Sequence, residues 1–195
     1  MAEAIKLAEN GLYTTSPNPR VGCVIVKNHQ IIGRGWHEKA GQPHAEINAL
    51  AQAATEAKNS TTYVTLAPCC HHGRTPPCTD VLIKAGITKL IIAMQDPNPL
   101  VAGKGIQQLK KAGIEVQYGL LEAQANQLNI GFVSRMTRQR PWLTVKIASS
   151  LDGKIALANG NSQWITGEAA RTDVHRLRAR SCAILTGINT VKHDD

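Results

Sequence analysis

Two short stretches constrain this chain more than any other feature: Pro43-His44-Ala45-Glu46, and Pro68-Cys69 through Pro77-Cys78. Together they supply one imidazole, two thiols and one carboxylate, the parts of a catalytic zinc site. Three protein ligands, His44, Cys69 and Cys78, leave a fourth position of Zn²⁺ open to water, whereas a structural zinc is closed by four. Glu46, two residues past the histidine, then serves as the proton shuttle rather than as a ligand. Taken singly, each residue has a blander reading. A histidine at a helix start is usually a polar end group, an acid there suits the helix dipole, and two cysteines can be close by chance. Only the combination points to a metal. Eight residues separate the cysteines, wider than the two that are usual between such ligands.

The rest of the chain is organised around that pair. Residues 3–10 read as a helix stopped by Gly11, and Thr14 to Pro19 as a turn-rich loop in which two prolines stiffen the presentation of Asn18. Residues 21–26 and 30–36 read as strands joined by a Lys27-Asn28-His29 hairpin, with Cys23 in the core. A helix follows from His44, in its first turn, to about Ala57. Further strands are expected over 61–66, 89–94 and 114–118, and helices over 79–85, 103–112 and 122–137. Strand–helix alternation from residue 61 onward implies parallel strands, preceded by the antiparallel hairpin. The fold class is therefore α/β, a three-layer α/β/α sandwich with a mixed sheet. Both halves of the zinc motif fall at strand carboxyl ends and helix starts, where such sheets gather ligands.

Arg138-Gln139-Arg140-Pro141 reads as a linker, dividing a first domain, 1–138, from a second, 139–195. The second should run strand 142–148, turn 151–154, loop 159–162, basic helix 169–180 and strand 182–186. Those are too few elements to close a core, which implies a truncated domain. Composition narrows the partners. Hydrophobic residues make up 43% and charged residues 18%, ordinary for a globular protein, and aromatics only 4%, so Val, Ile, Leu and Ala must build the core. A net charge of +8 and a pI near 9.4 suit an anionic partner, nucleic acid or a phosphorylated small molecule. No block of five basic residues occurs, which counts against nucleic acid. The N-terminus lacks a signal-peptide core and the apolar runs are too short to span a bilayer. No membrane association and a cytoplasmic location are expected. In a reducing compartment the five cysteines are ligands or buried residues, not disulfides.

The spacing His44-Ala45-Glu46 followed by Pro68-Cys69 matches the H-x-E and P-C signature of zinc deaminases. A more specific resemblance extends along the chain. It is carried by Ser16-Pro17-Asn18-Pro19-Arg20-Val21-Gly22-Cys23, Gly41 to Glu46, Pro68 to Cys78, Asp96 to Gly105, Ser150 to Lys154, Ser162 to Gly167 and Leu177 to Arg180. These look like the riboflavin-biosynthesis bifunctional deaminase/reductase family, whose zinc cysteines are separated by the same long insert.

The resemblance implies a cytidine-deaminase-like domain followed by the start of a dihydrofolate-reductase-like one. The first would deaminate 2,5-diamino-6-ribosylamino-4(3H)-pyrimidinone 5′-phosphate, and the second would reduce the ribosyl chain with NADPH. It implies that Asn18 and His71 contact the pyrimidine or ribose and that Arg74 lies near the phosphate, with His37 a further candidate. In the second domain it implies Ala148, Trp164, Thr190 and Asp194 at the NADP site, and Ser162 and Arg178 at the ribose phosphate. The family's usual glutamate before Pro68 is here Ala67, which removes no ligand. With more than half of the second domain absent, no reductase activity is expected of the chain alone, and exposed apolar surface would favour a homo-oligomer. Two rivals stay open: a zinc deaminase of a nucleic-acid base or nucleoside, and a non-catalytic zinc-stabilised module closed by Cys70 or His71.

Overall fold

The structure, a computed structural model, describes residues 1–70, 76–98 and 103–194, with His193 and Asp194 described by backbone only. The chain divides into two compact units, Met1–Trp142 and Leu143–Asp195.

The first unit is built on a five-stranded sheet in the order β2-β1-β3-β4-β5. Strands β1 (Gly22–Lys27) and β2 (Gln30–Trp36) form an antiparallel hairpin. Its turn residues Asn28 and His29 both have positive φ, 50° and 62°, the backbone that matches the right-handed twist of paired strands. β1 also pairs antiparallel with β3 (Thr61–Leu66). From there the chain alternates, and β4 (Lys89–Met94) and β5 (Glu115–Tyr118) add in parallel, giving the mixed sheet expected.

Helices cover both faces. On one lie α2 (Ala45–Ala53, continued by a 3-10 turn over Ala54–Ala57), α3 (Cys78–Ala85) and α4 (Lys104–Lys111). Their Ala49, Leu82 and Leu109 pack with Ile25, Val64, Leu90 and Ile92 of the strands in the main core. On the other lie α1 (Ala2–Glu9), α5 (Glu122–Leu128) and α6 (Ile130–Arg138), where Ala125 packs on Leu66, Ala93 and Met94, with Phe132 and Val133 beside them. Helix α1 lies directly on β1. A Cβ on Gly22 would come within 1.9 Å of the Ala4 carbonyl oxygen, so only glycine admits that approach.

Two expectations need correction here. His44 precedes the first helical residue, with extended backbone (φ −74°, ψ 163°), instead of sitting in the first turn. The helix expected over 122–137 is two helices, separated at Asn129 (φ −112°, ψ 23°). The apolar spacing runs through that break because both helices turn an apolar face to the same side of the sheet.

In the second unit, α7 (Glu168–Ala179) matches the basic helix expected, and α8 spans Ile188–Asp194. Residues 142–148 and 182–186 are not strands. A strand satisfies its backbone by pairing with another, and among the described residues of this unit no strand pairs with either. The turns between them are formed: Ser150 donates its backbone N–H to Lys154 O at 2.8 Å, and Leu157 to Asn161 O at 2.9 Å. Among the described residues, no helix is long and apolar enough to cross a membrane.

Candidate metal centre

The centre lies where α2 and α3 begin, beyond the end of β3. His44 presents its ring from the residue before α2, and its carbonyl accepts the N–H groups of Ile47 and Asn48 at 3.0 and 3.1 Å. Asn48 in turn donates its Nδ2 to Trp36 O at 2.8 Å, tying this end of α2 to β2. Cys78 is the first residue of α3, following Pro77, whose fixed φ suits a helix entry. Its backbone N–H donates to Cys69 Sγ at 3.4 Å, and Thr79 N–H donates to Cys69 O at 3.2 Å. Helix α4 supports the Cys69 side. A Cβ on Gly105 would fall 2.6 Å from Pro68 O, so glycine is required for that contact as well. Nothing in the local sequence pattern marks Gly105 as part of the site.

His44 Nδ1 lies 3.2 Å from Cys78 Sγ and 3.6 Å from Cys69 Sγ. The three donor atoms all fall within 4.8 Å of one another. Tetrahedral zinc with bonds of about 2.3 Å to sulfur and 2.05 Å to nitrogen needs about 3.6 Å between the two kinds of donor. The donor set and its spacing therefore fit zinc. Among the described residues the group comprises these three alone, and Cys70, half-buried next to Cys69, is not part of it.

The electrostatics favour ionised sulfur. Hydrogen bonding from Cys78, and then from His44, holds the Cys69 thiol down to about 4. The first thiolate makes the second proton hard to remove: Cys78 is pushed well up, chiefly by its hydrogen bond to Cys69. A divalent cation supplies the charge that lets both ionise. The His44 imidazole is raised, first by its hydrogen bond to Cys69. Glu46 is 3% exposed, and burial pushes its carboxyl up to about 7, partly offset by its own backbone N–H. A carboxyl that exchanges its proton near neutrality has the property of a general acid–base. Cys23 is fully buried in the core, where burial holds its thiol well up, and it acts as packing.

Asn18 stands at the same end of the sheet. Its Nδ2 donates to His37 Nε2 at 3.1 Å, while His37 Nδ1 donates to Pro43 O, also at 3.1 Å. His37 is 3% exposed, its pKa lowered mainly by burial, and its ring meets that of His44 edge-on with centroids 5.3 Å apart. His37 is thus closer to the centre than its position after a strand suggested. Ala67 packs against the main core and donates its N–H to Met94 O at 3.0 Å. His71, His72 and Arg74 lie outside the described residues.

The candidates of the second unit are not gathered in the same way. Ser162 and Arg178 are exposed, Trp164 is 70% exposed under the Arg171 guanidinium at 4.5 Å, Ala148 is partly buried, and Thr190 is exposed on α8, which ends at Asp194. Among the described side chains, no hydrogen bond or ring contact joins these residues to one another.

A mixed five-stranded sheet with an imidazole and two sulfurs at its helix starts defines the class, a cytidine-deaminase-like protein. The sequence model of the cytidine and deoxycytidylate deaminase zinc-binding region matches residues 1–94, and that of the RibD C-terminal domain matches residues 141–195. The chain belongs to the riboflavin-biosynthesis deaminase/reductase family. Riboflavin biosynthesis protein RibD of Escherichia coli is 56% identical over all 195 residues, and that of Haemophilus influenzae 57%. The chain spans about half the length of these curated relatives, 53% and 52%. Among solved structures, Acinetobacter baumannii RibD (form 1) is 58% identical with a TM-score of 0.95, covering 99% of this chain and 54% of that one. The diaminohydroxyphosphoribosylaminopyrimidine deaminase/5-amino-6-(5-phosphoribosylamino)uracil reductase of Thermotoga maritima is 45% identical with a TM-score of 0.94, covering all of this chain and 56% of that one.

Proposed function

We propose that the first unit is a zinc-dependent hydrolase that deaminates 2,5-diamino-6-ribosylamino-4(3H)-pyrimidinone 5′-phosphate in riboflavin biosynthesis. The observation that carries this reading is the His44–Cys69–Cys78 triangle with the buried Glu46 carboxyl beside it. In this reading His44, Cys69 and Cys78 hold zinc and complete three of its four positions. When bound, zinc lowers the pKa of water in its fourth position to about 7, supplying a nucleophile near neutral pH. Glu46 accepts the proton that this water gives up. It would pass that proton to the ring nitrogen as the hydroxide oxygen bonds to the amine-bearing carbon, and then carry the proton of the new hydroxyl to the amine, whose C–N bond breaks to release ammonia and leave a ring carbonyl. Asn18, held by His37, orients the pyrimidine or ribose, and His71 and Arg74 complete the contacts to substrate and phosphate. The net charge of +8 suits that anionic substrate.

Domain assignment follows the same reading. Residues 1–138 form the deaminase, and residues 139–195 begin a reductase whose NADPH-dependent step belongs to the longer protein. There Ala148, Trp164, Thr190 and Asp194 would meet the cofactor, with Ser162 and Arg178 at the ribose phosphate. Because Ser162, Trp164, Arg178 and Thr190 are all exposed, the 195-residue chain should not consume NADPH.

The test is ammonia release by the zinc-loaded chain on the pyrimidine phosphate beside cytidine, guanine and a transfer RNA. Release from the pyrimidine phosphate alone is the expected result. Release from cytidine, guanine or the transfer RNA instead would transfer the activity to a nucleoside or nucleic-acid base. Zinc without any release would leave a binding module.

A further inference from the structure

Asn129 is a fully buried polar side chain outside the metal centre, and it stands where one expected helix becomes two. Its carboxamide turns away from both helices toward the loop before β1. The Oδ1 accepts the Arg20 backbone N–H at 2.8 Å, and the Nδ2 donates to the Arg20 carbonyl at 2.8 Å. An amide that binds both backbone groups of one residue acts as a neighbouring strand would, fixing that residue's place and its orientation. The Arg20 guanidinium adds bonds to Leu128 O at 3.3 Å and Leu12 O at 3.0 Å.

The other end of the loop is tied down separately. Thr15 is fully buried; its Oγ1 donates to Gly11 O at 3.0 Å, and its carbonyl accepts the Asn18 N–H at 2.8 Å. Asn18 is therefore suspended between two anchors, with Asn129 holding the one two residues downstream. From Asn18 the contacts continue to His37 and on to Pro43, the residue before His44.

We propose that Asn129 is a positioning residue for the substrate: by clamping the Arg20 backbone it sets where Asn18 stands when the pyrimidine or ribose arrives. The inference rests on the role given to Asn18 above. It assigns to a side chain some 110 residues away in sequence a part in binding, separate from the zinc ligands and Glu46. Loss of the clamp should leave the proton shuttle and the ligands intact while letting Asn18 drift. The change should then appear in KM rather than in kcat, because misplacing one substrate contact weakens binding before it touches the proton transfers.

The experiment measures zinc content, melting temperature, kcat and KM for ammonia release in the zinc-loaded 195-residue chain. It compares wild type, Asn129→Ala, Asn18→Ala and the double variant. The expected result is retained zinc, a KM raised about tenfold in Asn129→Ala with kcat within about threefold, and no further rise when Asn129→Ala is added to Asn18→Ala. Asn129→Asp keeps the acceptor for the Arg20 N–H and should fall between wild type and Asn129→Ala; it decides the matter by the same readings if the alanine variant does not fold. A lowered melting temperature with unchanged KM shows a purely structural amide and overturns the inference. So does a double variant in which the two KM effects multiply. A wild-type chain that releases no ammonia from the pyrimidine phosphate overturns the functional reading and this inference together, whereas an active wild type with an unaffected variant overturns the inference alone.

Discussion

The two units contain similar apolar residues and use them differently. In the first, Val64, Leu90, Ile92 and Leu109 are fully buried between a sheet and its helices. In the second, Leu143, Val145 and Ile147 alternate with Thr144 and Lys146 as strand residues should, yet they are 74%, 72% and 72% exposed. Leu151 and Leu185 are more exposed still. Alternation creates a face that can be buried, but burial needs a partner surface, and the backbone needs a partner strand. The first unit supplies both within 142 residues, because each strand from β1 to β5 arrives beside one already placed. The contrast extends to the candidate sites: three candidate metal donors lie within 4.8 Å of one another in the first unit, while Trp164 and Thr190 of the second are exposed.

Four substitutions test that contrast. The largest effect is expected at Glu46. Glu46→Gln should retain zinc and lose about a hundred- to ten-thousand-fold in ammonia release, checked by steady-state kinetics beside metal analysis; turnover at the wild-type rate removes Glu46 from its role. Core truncation comes next. Leu90→Ala, at a fully buried position, should cost about 2–5 kcal/mol in denaturant unfolding. Leu185→Ala, at a position 94% exposed, should stay within about 0.5 kcal/mol. Equal losses would mean that the second unit has a core after all. The smallest effect belongs to the Lys89–Glu115 ion pair, 2.9 Å long on the surface between β4 and β5. Lys89→Met should lower the denaturant midpoint only slightly, a difference that fades in high salt.

Much of the first unit was legible because its signals are local. The β-rich run Thr61–Leu66 is a strand with the expected bounds, and Gly86, at a φ of 72°, ends α3 as its position after an apolar-periodic stretch implies. The Asn28-His29 turn was readable for the same reason. What could not be read depends on contacts between distant residues. Asn129 sits in a continuous apolar periodicity, and only its bonds to Arg20, 109 positions earlier, show why the helix is interrupted there. His37 gave a weak signal as a histidine after a strand, and its burial beside His44 comes from packing. The strands expected at 142–148 and 182–186 failed for the complementary reason, since the pattern was present and the pairing was not.

In the proposed centre three side chains, His44, Cys69 and Cys78, hold zinc and one position is left to solvent. Zinc-edge X-ray absorption on the metal-loaded chain tests it most directly. The expected shell is two sulfurs at about 2.3 Å, one nitrogen at about 2.0–2.1 Å and a single oxygen from water. A third sulfur, a second imidazole in the fourth position, or no specifically bound zinc would contradict it.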